Sequence, residues 1–288
     1  MGILAKLRHA PLAAMLAFGL SSAVQAEAAE RVLSIGGSVT EIVYALGQGH
    51  RLVARDTTST YPPAAEDLPD VGYMRALSPE GVLSVEPDLI LSTDGAGPPE
   101  TIDILRAADI PFVTVTDGYS AEAVTAKIRD VGEALGVPDR ADALAEEVSA
   151  QMAEAAAAAD QSANGRKKRV LFILSTASDR ILASGTGTAA AGIIDLAGAE
   201  NAVTDFEGYK QMTDEAVVAA APDVILMMDR GGDHGAGDDE LFALPAIATT
   251  PAARDRAVVR MDGLALLGFG PRTADTVSAL AAALYGRG

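Results

Sequence analysis

The stretch Ser78-Pro-Glu-Gly-Val-Leu-Ser-Val-Glu-Pro-Asp-Leu-Ile-Leu91 recurs later in the chain as Thr213-Asp-Glu-Ala-Val-Val-Ala-Ala-Ala-Pro-Asp-Val-Ile-Leu226. In both copies a Ser or Thr stands where it would cap a short helix, a proline ends the helix, and an apolar strand follows. A second pair of strands, Arg31-Val-Leu-Ser-Ile35 and Arg169-Val-Leu-Phe-Ile173, is offset by 138 residues, close to the 135 of the first pair. The similar offsets favour an internal duplication over chance likeness of short α/β elements.

The chain between the two copies predicts one long helix. The range Asp139–Ala163 is rich in Ala and Glu and contains no internal Gly or Pro, so we expect it to be continuous and to begin at Asp139. Its predicted apolar stripe consists of Leu144, Val148 and Met152. The alternating strand and helix signals therefore predict an α/β protein of two Rossmann-like lobes with mostly parallel sheets, joined by this helix. Ligands of such sheets bind beyond the carboxyl ends of the strands, so a cleft between the lobes is expected.

The segment after the first strand predicts a turn into a helix. Gly36-Gly-Ser38 supplies the turn, and the helix is expected over Val39–Leu46 with Ser38 as its N-cap.

The first 26 residues have the three parts of a secretory signal peptide. A basic region with Lys6 and Arg8 precedes an apolar run over 11–20, too short to span a bilayer, and small residues follow up to Ala26. Cleavage is expected after Ala26 or Ala28, which predicts export to the periplasm. The expected organisation is a signal peptide over 1–26, an N-terminal lobe over 27–137, a linking helix over 138–164 and a C-terminal lobe over 165–288.

Composition excludes several kinds of partner. The formal net charge of −18 becomes about −20 when Lys6 and Arg8 leave with the signal peptide, which argues against nucleic acid and anionic membranes as partners. There is no cysteine, so an exported chain of this length must be held by its hydrophobic cores and has no lipid-anchor site. After the signal peptide no run is long and apolar enough for membrane insertion.

Just before the first copy, Val71-Gly-Tyr-Met-Arg75 predicts a loop that carries a tyrosine and an arginine. In an extended backbone Tyr73 and Arg75, two residues apart, would project to the same face. Two interpretations are open for the residues alone. Tyr73 packs the loop against the lobe, or its phenolate is a ligand for a hard ferric ion, with the arginine charge favouring the ionised form.

Four segments carry a resemblance to a known family, and they are Arg31–Glu41, Val71–Ser78, Ala183–Thr188 and Met261–Arg272. The chain resembles the helix-linked periplasmic binding proteins that serve ABC importers of haem, cobalamin and iron-siderophores. Within that class it is most similar to the haem-binding subgroup of the HmuT/PhuT/ShuT type. The likeness extends from about Arg31 to Tyr285.

The resemblance implies a site for ferric haem b as a transported ligand. Tyr73 would be the axial ligand of the haem iron, and Arg75 would donate a hydrogen bond to its phenolate. Arg230, which follows the second-copy strand, would contact a propionate or the distal face, and the alternative is a loop arginine paired with a neighbouring aspartate. His234 is a further candidate contact, although five-coordinate iron is expected without it.

The resemblance also implies how the protein works with its partner. Each lobe would offer a surface glutamate to arginines of an inner-membrane ABC permease, and the candidates are Glu100 and Glu215. The protein would be a monomer and would catalyse no reaction.

Two alternative functions stay open. The range Gly185–Ala190 fits the loose G-x-G-x-x-[GA] pattern with Asp205 about 20 residues on, which taken alone indicates a dinucleotide-binding enzyme. Among binding proteins the alternative ligands are an iron-siderophore and cobalamin. A transition-metal binding protein would need several converging histidines and carboxylates, and after the signal peptide only His50 and His234 are present.

Overall fold

The computed structural model describes residues 29–229 and 237–286. The first sheet is fully parallel, with the strand order β2-β1-β3-β4. Its strands are β1 (Val32–Ile35), β2 (Leu52–Arg55), β3 (Leu89–Thr93) and β4 (Phe112–Val115). The helices around it are α1 (Gly37–Ala45), α2 (Pro79–Leu83), α3 (Pro99–Ala107) and α4 (Ala121–Ala134), with short 3-10 turns at Gly49–Arg51 and Pro63–Ala65. We call the part built on this sheet the first lobe.

The N-cap prediction for the first helix was wrong. The helix begins at Gly37, and Gly36 occupies the cap position with a φ of 107° and no side-chain cap. Only glycine adopts that conformation readily, so the chain reverses there and Ser38 enters the first turn. The Ser38 hydroxyl instead accepts a hydrogen bond from the buried Lys127 ammonium (3.3 Å).

One long helix, α5 (Pro138–Ala163), follows the first lobe, as predicted, and begins one residue earlier than expected. The ring of a proline fixes φ at a helical value and its missing amide is not needed in the first turn, which explains the start at Pro138. The helix ends at Asn164, which has a left-handed φ of 47°. Its buried stripe is longer than predicted and made mainly of small residues, and Leu144 is only half-buried. The buried residues are Ala141, Ala145, Val148, Met152, Ala155, Ala159 and Ala163.

The second sheet is mixed, with the path β10-β9-β5-β6-β8 and β7 beside β5. Its strands are β5 (Arg169–Ser175), β6 (Ile181–Ser184), β7 (Glu200–Asn201), β8 (Tyr209–Met212), β9 (Val224–Asp229) and β10 (Val258–Asp262). The pairs β10–β9, β9–β5 and β5–β7 are parallel, whereas β6 runs antiparallel to both β5 and β8. The α/β fold is confirmed, and the sheet of this second lobe has an antiparallel edge because β6 returns from β5 through a short connection.

The helices of the second lobe are α6 (Ala189–Leu196), α7 (Asp214–Ala220), α8 (Asp238–Ala243), α9 (Pro245–Ala248), α10 (Pro251–Asp255), α11 (Gly263–Leu267) and α12 (Thr273–Tyr285). Within the two described ranges, none of the helices is both long and apolar enough to cross a membrane.

The internal duplication is visible in the strand pairing. In the first lobe β1 pairs in parallel with β3, the strand that follows α2, and in the second lobe β5 pairs in parallel with β9, the strand that follows α7. Both helices have the predicted caps, since the Ser78 hydroxyl accepts from the Gly81 amide and the Thr213 hydroxyl from the Ala216 amide. The two copies therefore form equivalent helix–strand units at the centre of each sheet.

The largest hydrophobic core passes through both lobes. It joins Val39 and Ile128 of the first lobe to the α5 stripe, and this stripe to Phe172 and Leu280 of the second lobe. The lobes also meet closely at Gly37, where an added Cβ would lie 2.4 Å from the Leu264 side chain. Separation of the lobes would expose this shared apolar core to water, which costs free energy. The structure therefore favours small relative movements of the lobes.

Candidate functional site

Tyr73 lies at the carboxyl edge of the first sheet, on a loop whose main chain is fixed on both sides. The Thr57 amide, after β2, donates to the Gly72 carbonyl (3.0 Å), and the Gly97 amide, after β3, donates to the Met74 carbonyl (2.8 Å). Gly72 has a φ of 102°, a conformation that allows the chain to turn just before the tyrosine. Tyr73 is 45% exposed, so an anchored loop presents this phenol to solvent.

The backbone around Arg75 differs from the sequence prediction. The Ala76 amide donates to the Tyr73 carbonyl (2.7 Å), which closes a turn where an extended segment was expected. Arg75 is exposed, and its charge offsets part of the rise that burial causes in the pKa of two other tyrosines, Tyr119 and Tyr209. Across the described ranges, neither the Tyr73 hydroxyl nor the Arg75 guanidinium makes a hydrogen bond or ion pair, so the Tyr73–Arg75 hydrogen bond stays a prediction.

Tyr119 belongs to the loop that follows β4. Its side chain is 39% exposed, and its ring packs edge-on against the buried Phe269 of the second lobe, with 5.4 Å between the centroids. Burial raises the pKa of the Tyr119 phenol, Asp117 and Asp94 raise it further, and Arg75 lowers it. The net upward direction keeps this phenol protonated, and therefore a hydrogen-bond donor, at neutral pH.

Tyr209 is the first residue of β8, an edge strand of the second sheet. Its side chain is 37% exposed, and its ring packs edge-on against Phe172, with 6.3 Å between the centroids. Burial raises the pKa of the Tyr209 phenol and Tyr119 raises it further, whereas hydrogen bonds to the Ala190 backbone and the Thr188 side chain, and the Arg75 charge, lower it. Tyr209 therefore brings a second-lobe phenol close to Tyr119 and Arg75.

The sequence analysis missed Tyr119 and Tyr209, although a signal for them exists. The chain contains three Gly-Tyr dipeptides, Gly72-Tyr73, Gly118-Tyr119 and Gly208-Tyr209. Gly72 and Gly208 have positive φ values of 102° and 79°, which glycine adopts readily, so in two of the dipeptides the chain turns just before the tyrosine. We call Tyr73, Arg75, Tyr119 and Tyr209 the cleft mouth.

Beneath the mouth, a buried ion pair joins the lobes. Arg272, just before α12, donates from Nε to Glu41 Oε1 on α1 (2.9 Å), and a second guanidinium nitrogen contacts the same oxygen. The guanidinium also stacks over the Tyr61 ring, 3.6 Å from its centroid. Burial raises the pKa of Glu41, and the attraction of Arg272 offsets this only in part.

A second buried cation, Lys127 of α4, lies next to this pair. Its ammonium group contacts the Asp117 carboxylate (2.6 Å), the Ser38 hydroxyl (3.3 Å) and the Gly268 carbonyl of the second lobe (3.4 Å). Lys127 thus ties α4 and α1 of the first lobe to the segment that carries Phe269. We call Glu41, Asp117, Lys127 and Arg272 the cleft floor.

The other predicted site residues are placed as follows. Arg230 and His234 lie outside the described residues. The strand that precedes Arg230 is present as β9 and ends at Asp229. Glu100 and Glu215 are exposed, each at the second position of a helix, α3 and α7 respectively. The pKa of Glu215 is lowered by its own backbone amide and by the Thr213 hydroxyl, so it is ionised at neutral pH.

The glycine-rich pattern over 185–190 does not form the geometry of a dinucleotide site. It follows β6, which is antiparallel to both its neighbours, whereas the dinucleotide fingerprint requires a parallel strand–helix–strand unit. The Thr188 hydroxyl caps α6 by accepting from the Ala191 amide (3.1 Å). Gly185 has a packing role, because an added Cβ would lie 2.1 Å from the Phe206 carbonyl oxygen.

The described part of the chain contains no group of three or more His, Cys, Asp or Glu side chains that could hold a metal ion.

Comparison with solved structures places this fold among exported binding proteins. The chain superposes on the periplasmic heme-binding protein BhuT, solved in complex with two hemes, with a TM-score of 0.84 and 42% sequence identity. The match covers 89% of this chain and 98% of that one.

Two curated relatives have lower identity. The uncharacterized ABC transporter substrate-binding lipoprotein YvrC of Bacillus subtilis (strain 168) is 30% identical over 258 residues, 89% of this chain and 80% of that protein. The vitamin B12-binding protein of Yersinia pestis (strain Pestoides F) is 30% identical over 203 residues, 70% of each chain.

The family comparison agrees with the architecture. Residues 32–264, which include both sheets and the connecting helix, match the family described as periplasmic binding protein. The chain belongs to the periplasmic binding protein family.

Proposed function

We propose that this chain is a periplasmic haem-binding protein that delivers ferric haem to an ABC permease for iron uptake. The observation that carries the proposal is the presentation of Tyr73, a 45% exposed phenol on a loop held by main-chain hydrogen bonds. The likeness to a heme-binding protein over 89% of the chain supports it. The protein binds and releases its ligand and catalyses no reaction.

The chemistry of the mouth suits ferric haem. Tyrosine is an established axial ligand of haem iron, and its anionic oxygen prefers the ferric ion. A tyrosine phenol ordinarily titrates near pH 10, so the ferric ion must supply most of the driving force for ionisation. Arg75, two residues from Tyr73, would add a favourable charge once the iron has ionised the phenol.

Export is the second part of the proposal. The signal peptide expected over residues 1–26 would take the chain to the periplasm, and the family description supports that location. Arg230, which follows β9, and His234 stay candidates for contacts on the second-lobe side of the haem.

The permease would dock on glutamates of both lobes. Glu100 and Glu215 are the candidates from the sequence, and the internal duplication adds a third, because Glu80 is the repeat counterpart of Glu215. Glu80 and Glu215 each hold the second position of a helix capped by a hydroxyl side chain. We therefore propose a docking surface with Glu215 in the second lobe and Glu80 or Glu100 in the first, used by a monomer.

A titration tests the ligand. Purified protein is titrated with ferric haem and, separately, with cobalamin, and the visible spectrum is followed. We expect saturable haem binding with a tyrosinate-type ferric spectrum that Tyr73→Phe abolishes and that Tyr44→Phe, at a half-buried tyrosine in the last turn of α1, retains. Saturable binding of cobalamin but not haem would establish the second candidate, which the 30% identity to a vitamin B12-binding protein favours.

Growth of a bacterium on haem as its iron source tests docking. Glu215→Lys should bind haem normally in vitro yet reduce growth at least severalfold, because charge reversal repels the arginines of the permease. Glu154→Lys, at an exposed position of α5, is the matched control and should grow normally. The corresponding changes at Glu80 and Glu100 identify the first-lobe residue, and normal growth of Glu215→Lys would contradict the docking proposal.

A further inference from the structure

Two tyrosines of the cleft mouth are held in fixed orientations by buried aromatic rings. Tyr119 packs edge-on against Phe269, which is 1% exposed, and Tyr209 packs edge-on against Phe172, which is fully buried. Edge-to-face packing of this kind restricts ring rotation. Each ring is thus held against a buried ring, although Tyr119 is 39% exposed and Tyr209 is 37% exposed.

Both tyrosines abut the first turns of the same helix, α6. An added Cβ at Gly192 would lie 2.7 Å from the Tyr119 carbonyl oxygen and 2.8 Å from its Cβ, so the first-lobe loop touches the helix there. Tyr209 interacts with Thr188 and with the backbone of Ala190 at the start of that helix. Gly192 is only two residues beyond Ala190, so the two phenols flank one short piece of α6 from opposite lobes.

Arg75 supplies the positive charge of this cluster, since its guanidinium acts on both phenols. Two carboxylates also lie near the Tyr119 phenol. Asp117 is paired with Lys127 at 2.6 Å, and Asp94 is exposed and accepts a hydrogen bond from the Gly95 amide. The cluster therefore combines one cation with two hydroxyl donors at an accessible position.

We propose that Arg75, Tyr119 and Tyr209 form a carboxylate-binding corner that receives a propionate of the bound porphyrin. This inference depends on the proposed function and specifies the part of the ligand that the second lobe recognises. Burial favours the protonated form of both phenols, which makes them donors to an anion and poor ligands for iron.

The corner has a consequence for specificity. Haem carries two carboxylates, whereas the side chains of the cobalamin corrin ring are amides. A site with two neutral hydroxyl donors and a guanidinium binds an anionic oxygen more tightly than a neutral one, because hydrogen bonds to charged acceptors are the stronger kind. The corner would therefore select a carboxylate-bearing macrocycle in addition to the ligation of iron by Tyr73.

Binding measurements with ferric protoporphyrin IX and with its dimethyl ester separate the contribution of the carboxylates from that of iron ligation. The wild type should bind the free acid at least about tenfold more tightly than the ester, the scale of a hydrogen bond to a charged group. Tyr119→Phe and Tyr209→Phe should each weaken free-acid binding about tenfold, leave ester binding unchanged and keep the tyrosinate-type spectrum. The control Tyr44→Phe, in the last turn of α1, should behave as the wild type with both ligands.

The outcomes distinguish the two proposals. A free-acid preference that is equal in the wild type, Tyr119→Phe and Tyr209→Phe overturns the corner while haem binding stands. Loss of the tyrosinate-type spectrum in Tyr209→Phe also overturns it, since this residue would then ligate iron. A wild type that shows no spectral change with either porphyrin contradicts the haem-binding function itself, and the corner with it.

Discussion

The cleft floor and the cleft mouth differ in the burial and pairing of their charged and polar side chains. At the floor Glu41 is 5% exposed and Lys127 is fully buried, and their partners Arg272 and Asp117 neutralise them. At the mouth the polar side chains are exposed, and within the described ranges Tyr73 and Arg75 have no side-chain hydrogen bonds.

This difference separates two tasks. Contacts at the floor cross between the lobes, from Glu41 to Arg272 and from Lys127 to the Gly268 carbonyl, so they set the distance between the lobes. At the mouth, the exposed Tyr73 and Arg75 are available to a ligand and contribute little to folding. Substitutions at the floor should change stability, and substitutions at the mouth should change binding alone.

The largest stability effect is expected from Arg272→Met. The change leaves the Glu41 carboxylate buried without its partner and removes the stacking over Tyr61, at a cost of about 3 kcal/mol in the free energy of unfolding. Denaturant unfolding measures this loss. The control is Arg129→Met, which breaks an exposed ion pair with Asp142 and should cost less than about 1 kcal/mol. Equal losses in both variants would contradict the role of the floor.

A somewhat smaller loss is expected for Lys127→Met, about 2 kcal/mol, because Asp117 is partly exposed and can be rehydrated. The Ser38 hydroxyl and the Gly268 carbonyl also lose a donor. The same unfolding measurement checks it. The variant should also weaken haem binding, because the loss of the Asp117 partner displaces Tyr119, two residues away. Unchanged stability would contradict a stabilising role for Lys127.

Glu41 gives the floor a pH dependence. Its pKa is raised by burial above the ordinary 4.5, so the folded protein holds this proton more tightly than the unfolded chain does. The resulting stabilisation is complete below the unfolded-state pKa and is lost as pH rises through the folded-state value. The wild type should therefore lose stability relative to Glu41→Gln as pH rises from 4 toward neutrality. Melting curves of both proteins across that range provide the check, and a constant difference would exclude the raised pKa.

The smallest stability effects belong to the mouth. Tyr73→Phe and Arg75→Gln should each change the free energy of unfolding by less than about 0.5 kcal/mol, because both side chains are exposed. Denaturant unfolding of the ligand-free proteins measures this. A loss of unfolding free energy comparable to that of Arg272→Met would show that Tyr73 and Arg75 stabilise the fold. It would contradict the proposed difference between the floor and the mouth.

The sequence predicted those parts of the fold that local signals determine. The capped helix and strand of each copy and the long helix α5 are encoded by neighbouring residues through caps, prolines and helix propensity. Strand order is not encoded in this way, so the antiparallel position of β6 was missed. The role of Ser38 was also missed, because its partner Lys127 is 89 residues away in the chain.

The candidate site was predictable to a similar degree. Tyr73 and Arg75 were found through a short motif, but the turn that closes at Ala76 was not, since a tight turn and an extended segment share many sequences. Tyr119 and Tyr209 come together only because the first-lobe loop that carries Tyr119 packs against α6 of the second lobe. The repeated Gly-Tyr dipeptide marks these tyrosines, although it cannot indicate that they meet.

The most direct test of the central claim is resonance Raman spectroscopy of the ferric haem complex. We predict iron–phenolate vibrations in the wild type that are absent from Tyr73→Phe and retained in Tyr119→Phe and Tyr209→Phe. Iron–phenolate vibrations that persist in Tyr73→Phe, or a wild-type complex without them, would contradict the assignment of Tyr73 as the ligand of the haem iron.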